Sequence, residues 1–165
     1  MSTETDPFRE VIDEILAREG PDTHDPIDHG GRTSRGISER SHPAAWADGS
    51  VSEGEARAIY ESKYITGPGF DRVPFEPLRN QLIDFGVTSG PALATSKLQA
   101  ILGVDIDGTL GPQTLTAIVH FEDPRRLNNL LVSSRIGMIG RLVTKSPAQM
   151  KFLNGWIARA ISFML

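Results

Sequence analysis

Helix starts recur along this chain with one kind of punctuation, and that limits its possible folds more than any other feature. Asp6-Pro7 and Asp123-Pro124 each place a natural N-cap before a proline, and Pro91, Gly111-Pro112 and Pro147 mark three further starts. Proline suits the first helical turn because its missing N–H would be unpaired there and its φ is already helical. Ser52 and Glu55 add an S-x-x-E capping box. Behind these starts, apolar residues follow the i, i+3, i+4 spacing of a single buried face. The first segment has Phe8, Val11, Ile12, Ile15 and Leu16; a second, from the capping box, runs through Ala56, Ile59, Tyr60 and Tyr64. Leu78, Leu82, Ile83 and Phe85 form another, ended by Ser89-Gly90-Pro91, after which Pro91 to Leu102 and Leu115, Ile118 and Val119 continue the pattern. Leu127, Leu130, Leu131, Met138, Ile139 and Leu142 predict a long buried stripe, with Gly137 and Gly140 inside it expected to admit a neighbouring helix closely. In the last segment Phe152, Trp156 and Ile157 are expected to face inward, and Thr66 to Pro77 reads as a loop. The predicted fold is mainly α.

The first of these helices delivers the most suggestive chemistry. Continuing the stripe of Ile15 and Leu16 by one turn reaches Glu19, before Gly20 stops the helix and Pro21 prevents its continuation. An acid on an apolar stripe at the negative end of the helix dipole is disfavoured as a carboxylate, which raises its pKa. A carboxyl group kept protonated near neutral pH can act as a general acid. A structural alternative stands beside this: Glu19 reaching solvent or pairing with an arginine such as Arg18.

A polar loop follows at once, with Asp22, His24, Asp25, Asp28, His29, Gly30, Gly31 and Thr33. Paired glycines permit close approach of the backbone to a ligand. Asp28, nine residues past Glu19, can stay ionised in such a wet, amide-rich loop, and the Thr33 hydroxyl can help it hold a water. Two carboxyls in environments that separate their pKa values make the acid and base of a glycosidase. The alternative for Asp25 and Asp28 is an Asx turn that ties down only their own backbone.

At this point the chain resembles a known family. Arg18-Glu19-Gly20, then Asp25-Pro26-Ile27-Asp28-His29-Gly30-Gly31-Arg32-Thr33-Ser34-Arg35-Gly36-Ile37-Ser38, is similar to the opening of glycoside hydrolase family 108, the phage endolysins and related muramidases. Ile59-Tyr60 with Tyr64 resembles its I-Y-x-x-x-Y segment, and Asp84-Phe85-Gly86-Val87-Thr88-Ser89-Gly90-Pro91 its D-F-A-V-N-S-G-P. Leu98-Gln99, Leu102-Gly103-Val104, Asp107-Gly108, Gly111-Pro112, Thr114 and Ala117, with Gly155-Trp156 and Arg159, resemble the peptidoglycan-binding-like module that accompanies it. The resemblance implies a lysozyme-like helical domain, with a small irregular or β-hairpin active-site loop. It implies an N-acetylmuramidase that cuts the β-1,4 bond between N-acetylmuramic acid and N-acetylglucosamine. Glu19 takes the acid's place, with Asp28 and Thr33 in matching order behind it, and Arg35, Tyr64, Asp84 and Thr88 are candidate substrate-binding residues. For Asp84 and Thr88, helix capping or a polar place in the core is equally open. Pro21-Asp22 in place of Gly-Tyr, His29 in place of proline and Thr88 in place of asparagine depart from the pattern, at positions where a sugar-stacking ring and an amide would bear on activity.

With 165 residues the chain reads as a single domain, residues 1–90 its catalytic part and 91–165 an integral helical part. The Asp-Gly-x-x-Gly-Pro-x-Thr motif of the second half is explained by turn and cap chemistry, with sugar binding the rival reading. The formal charge of -4 excludes general nucleic-acid binding, while Arg32, Arg35 and Arg40 could form a basic cluster facing an anionic wall or a solvated loop surface. No cysteine is present and no run is apolar enough for stable membrane insertion. The polar, acidic first residues are unlike a signal peptide. The expectation is therefore a monomer made in the cytoplasm, acting on peptidoglycan in the cell wall (periplasm), with a holin as its exit, the last on resemblance alone. No metal or organic cofactor is implied. Two rivals are a metal-dependent amidase or peptidase using His24, Asp25, Asp28 and His29, and a non-catalytic wall-binding or phage structural relative.

Overall fold

The computed structural model describes residues 8–19 and 32–165, and its contacts divide the chain into two compact units, Met1–Gly67 and Pro68–Leu165. The Asp6-Pro7 start lies outside the described residues. In the first unit, α1 spans Arg9–Glu19 and buries Ile12 and Ile15, with Phe8, Val11 and Leu16 half-buried on its flanks. A small antiparallel hairpin follows, β1 (Thr33–Ser34) with β2 (Ile37–Ser38), in the register Thr33 to Ser38 and Ser34 to Ile37. Its two turn residues, Arg35 and Gly36, have φ of +50° and +75°. Two left-handed residues in succession make a type I′ turn, whose twist matches that of the strands it joins. Ser34 and Ile37 are the buried pair of the hairpin.

A 3₁₀ turn at Pro43–Trp46 buries Trp46 and leads to α2 (Glu53–Glu61). The capping box is formed as expected: the Ser52 hydroxyl accepts from the Glu55 backbone N–H (3.3 Å), and the Glu55 carboxylate accepts from that of Ser52 (2.9 Å). Ala56 and Tyr60 face inward. The expectation of one α-helix through Tyr64 needs correction. After Glu61 the chain widens into a π turn, Ser62–Thr66, closed where Gly67 N–H donates to the Ser62 carbonyl (2.9 Å). Widening changes the phase of the side chains; Ile65 is buried and Tyr64 is only half-buried.

In the second unit a 3₁₀ turn at Phe70–Arg72 and the start of α3 at Glu76 replace part of the loop expected from Thr66 to Pro77. Phe70 and Val73 are buried, which a short turn achieves as well as a helix. A Cβ at Gly86 would come within 3.2 Å of the Phe70 ring, so glycine there admits the aromatic. Helix α3 (Glu76–Ser89) is the centre of the unit: Gln81 through Gly86 are all buried. A helix covered on every side is a core helix. Helix α4 (Pro91–Leu102) and α6 (Pro124–Lys145) lie against it, α5 (Pro112–Val119) touches α4, and α7 (Leu153–Ile161) lies on α6.

The turn between α4 and α5 is held by one buried amide. Gln99 Nε2 donates to Asp107 Oδ1 (2.8 Å), the Thr109 carbonyl (3.0 Å) and Thr114 Oγ1 (3.0 Å), while Gln99 Oε1 accepts from Gly108 N–H (2.9 Å). That network gives the Asp-Gly-x-x-Gly-Pro-x-Thr motif a structural role, and these bonds hold the Asp107 carboxyl below its usual range.

Helix α6 starts where expected, with Asp123 Oδ1 accepting from Arg126 N–H (3.0 Å), but its inward stripe differs. Leu127, Leu131, Arg135, Ile139 and Val143, spaced four apart, face inward, whereas Leu130 and Leu142 are 38% and 43% exposed. A charged residue occupies the middle of the stripe, which is why apolarity alone misplaced it. Nor do its glycines admit a neighbour: a Cβ at Gly140 would meet nothing within 4 Å, and one at Gly137 would meet only Arg141 of the same helix. The last segment opens at Pro147 as a 3₁₀ turn, Pro147–Phe152, before α7. That change of phase leaves Phe152 46% exposed, Trp156 and Ile157 half-buried and Ala160 as the inward residue.

Candidate functional site

Helix α1 ends at Glu19, so the backbone places this residue where the stripe of buried Ile12 and Ile15 runs out. The Glu19 side chain lies outside the described part of the structure. So do Asp28 and the rival metal ligands His24, Asp25 and His29, all within residues 20–31. Thr33 resumes the description as the half-buried first residue of β1.

The hairpin turn is tied to α2. Tyr60 Oη donates to the Arg35 carbonyl (3.1 Å), and the Tyr60 ring stacks on Tyr64 with centroids 5.7 Å apart. Arg35, a non-glycine residue in left-handed backbone, is thereby held with its side chain only half-buried. Such strain persists where surrounding contacts impose it and is concentrated at functional sites. Lys63 Nζ lies 5.1 Å from the Tyr64 ring centre. The structure thus joins Arg35 and Tyr64 through Tyr60. The arginines near the turn have different fates. Arg32 forms a bidentate pair with Glu39 (3.0 and 2.9 Å) and lies over the Trp46 ring at 4.9 Å. Its guanidinium holds the Glu39 carboxyl below the usual range, so Arg32 offers little unbalanced charge to a wall polymer.

Asp84 and Thr88 belong to the other unit and sit together on α3. Asp84 is 3% exposed, and its carboxylate receives Arg135 Nη2 at Oδ2 (2.7 Å) and Arg159 Nε and Nη2 at Oδ1 (2.8 and 2.7 Å). Of the two roles open in the sequence, its geometry is that of a polar core residue. Thr88, at the surface, donates to the Asp84 and Phe85 carbonyls (3.1 and 3.2 Å) and accepts from Arg135 Nη2 (3.2 Å). Arg135 also lies over the Phe85 ring, 5.0 Å from its centre. Sequence reasoning missed Arg135 and the pairing role of Arg159. One signal was available: a buried acid in the Leu78–Phe85 run requires a buried base, and Arg135 falls on the inward face of α6.

Comparison with known proteins places these features in a family. Residues 12–90 match the family described as glycosyl hydrolase 108, and residues 93–161 match the one described as a predicted peptidoglycan domain. The junction falls at Gly90-Pro91, where α3 ends and α4 begins. The solved structure of SagA from Brucella abortus is similar over 94% of both chains, with 29% identity and a TM-score of 0.65. No curated protein matches the chain. These matches support a glycoside hydrolase acting on peptidoglycan, and the mainly α build with its single described hairpin is that of a lysozyme-like fold.

Proposed function

We propose that this chain, whose residues 12–90 match the glycosyl hydrolase 108 family and whose residues 93–161 match a predicted peptidoglycan domain, is an N-acetylmuramidase. It cuts the β-1,4 bond between N-acetylmuramic acid and N-acetylglucosamine. The observation that carries this reading is the place of Glu19, the last residue of α1 and four residues past buried Ile15, inside the stretch matched by the family. Glu19 protonates the leaving glycosidic oxygen. Asp28, aided by Thr33, holds or activates water on the opposite face of the sugar. A carboxyl separation of about 6.5–9.5 Å gives inversion and one of about 5 Å retention. Arg35 and Tyr64 contact the glycan beside them. An endolysin role, as a monomer that is made in the cytoplasm and reaches the wall through a holin, extends the same reading. The described helices include none long and apolar enough to cross a membrane.

The test is turnover of intact peptidoglycan by the wild-type chain and by Glu19→Gln, with the new reducing ends identified. Muramic-acid ends from wild type, reduced in the variant by the roughly 10²–10⁴-fold of a lost general acid, are expected. Equal release by both proteins removes Glu19 from the mechanism. New amines in place of reducing ends indicate peptide-bond cleavage. Binding by both without release leaves a wall-binding protein.

A further inference from the structure

A cavity of about 120 Å³ opens in the C-terminal unit between the end of α3, the middle of α6 and α7. Its lining is amphipathic. Met138 and Leu142 from α6 and Trp156 from α7 give it apolar walls; Thr88 and the guanidinium groups of Arg135 and Arg159 give it polar ones. No acid lines it. Asp84, to which both guanidinium groups bind, does not line it either; two guanidinium groups against one carboxylate leave a net charge of +1 (2 − 1) behind the wall. The arginines are set before any ligand arrives, because Asp84 holds each at 2.7 Å. Arg135 is further fixed by the Phe85 ring.

With its Nε–Nη2 edge on Asp84, Arg159 keeps Nη1 to donate to a carboxylate, and a group held in place beforehand loses less freedom on binding. The cavity's volume of about 120 Å³, beside the ~150 Å³ that admits benzene, suits a single small residue. Within peptidoglycan, the free carboxylates belong to the stem peptides, since the lactyl carboxylate of each substituted muramic acid is consumed in an amide. We propose that this pocket binds the terminal carboxylate of an alanine-ended stem peptide. The carboxylate lies against Arg159, with the charge of Arg135 behind it, and the methyl group against Met138 and Trp156. The proposal rests on the peptidoglycan reading above and gives the C-terminal unit a share in choosing the substrate.

To test it, the full chain is titrated with N-acetyl-D-alanyl-D-alanine and with the C-terminal amide of the same peptide, following the indole N–H resonance of Trp156. The acid is expected to shift that resonance and the amide to bind at least tenfold more weakly. Arg159→Gln and Leu142→Glu are each expected to abolish the shift. Leu142 is exposed, so its variant adds a repelling charge without opening the core. A Trp156 resonance that moves equally with acid and amide, that moves with neither, or that still responds in Leu142→Glu overturns the proposal. A second readout compares turnover of intact peptidoglycan with that of glycan strands stripped of their peptides. Preference for intact material, lost in Leu142→Glu, supports the pocket. Equal turnover of both substrates overturns it and leaves the hydrolase reading standing. Carboxylate binding with no turnover of either substrate supports the pocket and refutes the hydrolase reading alone.

Discussion

The two units treat their charged side chains in opposite ways. Among the described residues of the N-terminal unit, the Arg32–Glu39 pair and the pairs of Arg57 lie at or near the surface. Arg32 and Glu39 are 45% and 40% exposed, and Arg57 of α2 reaches Asp13 of α1 and Glu53 of its own helix. In the C-terminal unit the side chains of Asp84 and Arg135 are each 4% exposed and share their network with Arg159. A surface pair gains little, because water screens it and two long side chains lose freedom. A buried pair must offset the cost of leaving water, which it does only when every member is satisfied. The first kind decorates a fold; the second requires three helices to be in register at once. Gln81 and Asn128 repeat the second pattern: oriented by its partners, the Gln81 amide donates to Asn128 Oδ1 (2.8 Å), and Asn128 Nδ2 donates to the Phe163 carbonyl (2.7 Å).

Removing Asp84 breaks this contrast most severely. Asp84→Ala leaves two guanidinium groups without their shared carboxylate and is expected to lower stability by about 3–5 kcal/mol in urea denaturation. A loss below about 1 kcal/mol would make the buried network no better than a surface pair. Next in size is Ser52→Ala, which deletes the cap of α2 and should cost about 1 kcal/mol; an unchanged midpoint would show that tertiary contacts alone hold that helix start. Arg35→Gly is expected to act in the opposite direction. It relieves a left-handed arginine and should raise stability by about 0.5–1 kcal/mol while lowering turnover of peptidoglycan. Rising stability with unchanged turnover would remove Arg35 from the substrate site.

The smallest effect belongs to Glu39→Gln. Because the folded state holds the Glu39 carboxyl below its usual range, its contribution is present above the unfolded pKa and is lost as pH falls through the lower folded one. The variant should be slightly less stable than wild type at neutral pH and converge with it in acid, so that the acid side of its stability profile is flatter. A slope identical to wild type would mean that the pair with Arg32 does not persist in solution.

Helix starts were legible because capping is a transaction among neighbours. Ser52 with Glu55 and Asp123 with Arg126 satisfy backbone groups three residues away, so spacing alone reveals them. Inward faces were legible where apolar residues filled them, as at Ile12 and Ile15, and failed where Arg135 took a core position or a 3₁₀ turn shifted the phase before α7. Of the candidate site, the end of α1 at Glu19 follows from local pattern, whereas the left-handed turn at Arg35 and the placing of Tyr64 by the π turn do not. Nor do the partners of Asp84.

By itself, then, the sequence determined the helical class, most boundaries from Ser52 onward, the family and the order of the candidate catalytic residues, because caps, prolines and motifs act over a few residues. Only the tertiary structure decided that Asp84 would be held by arginines 51 and 75 residues away, and that α3, α6 and α7 would enclose a positively charged pocket. Those depend on which helix faces meet, and no local spacing encodes a contact between residues so far apart along the chain.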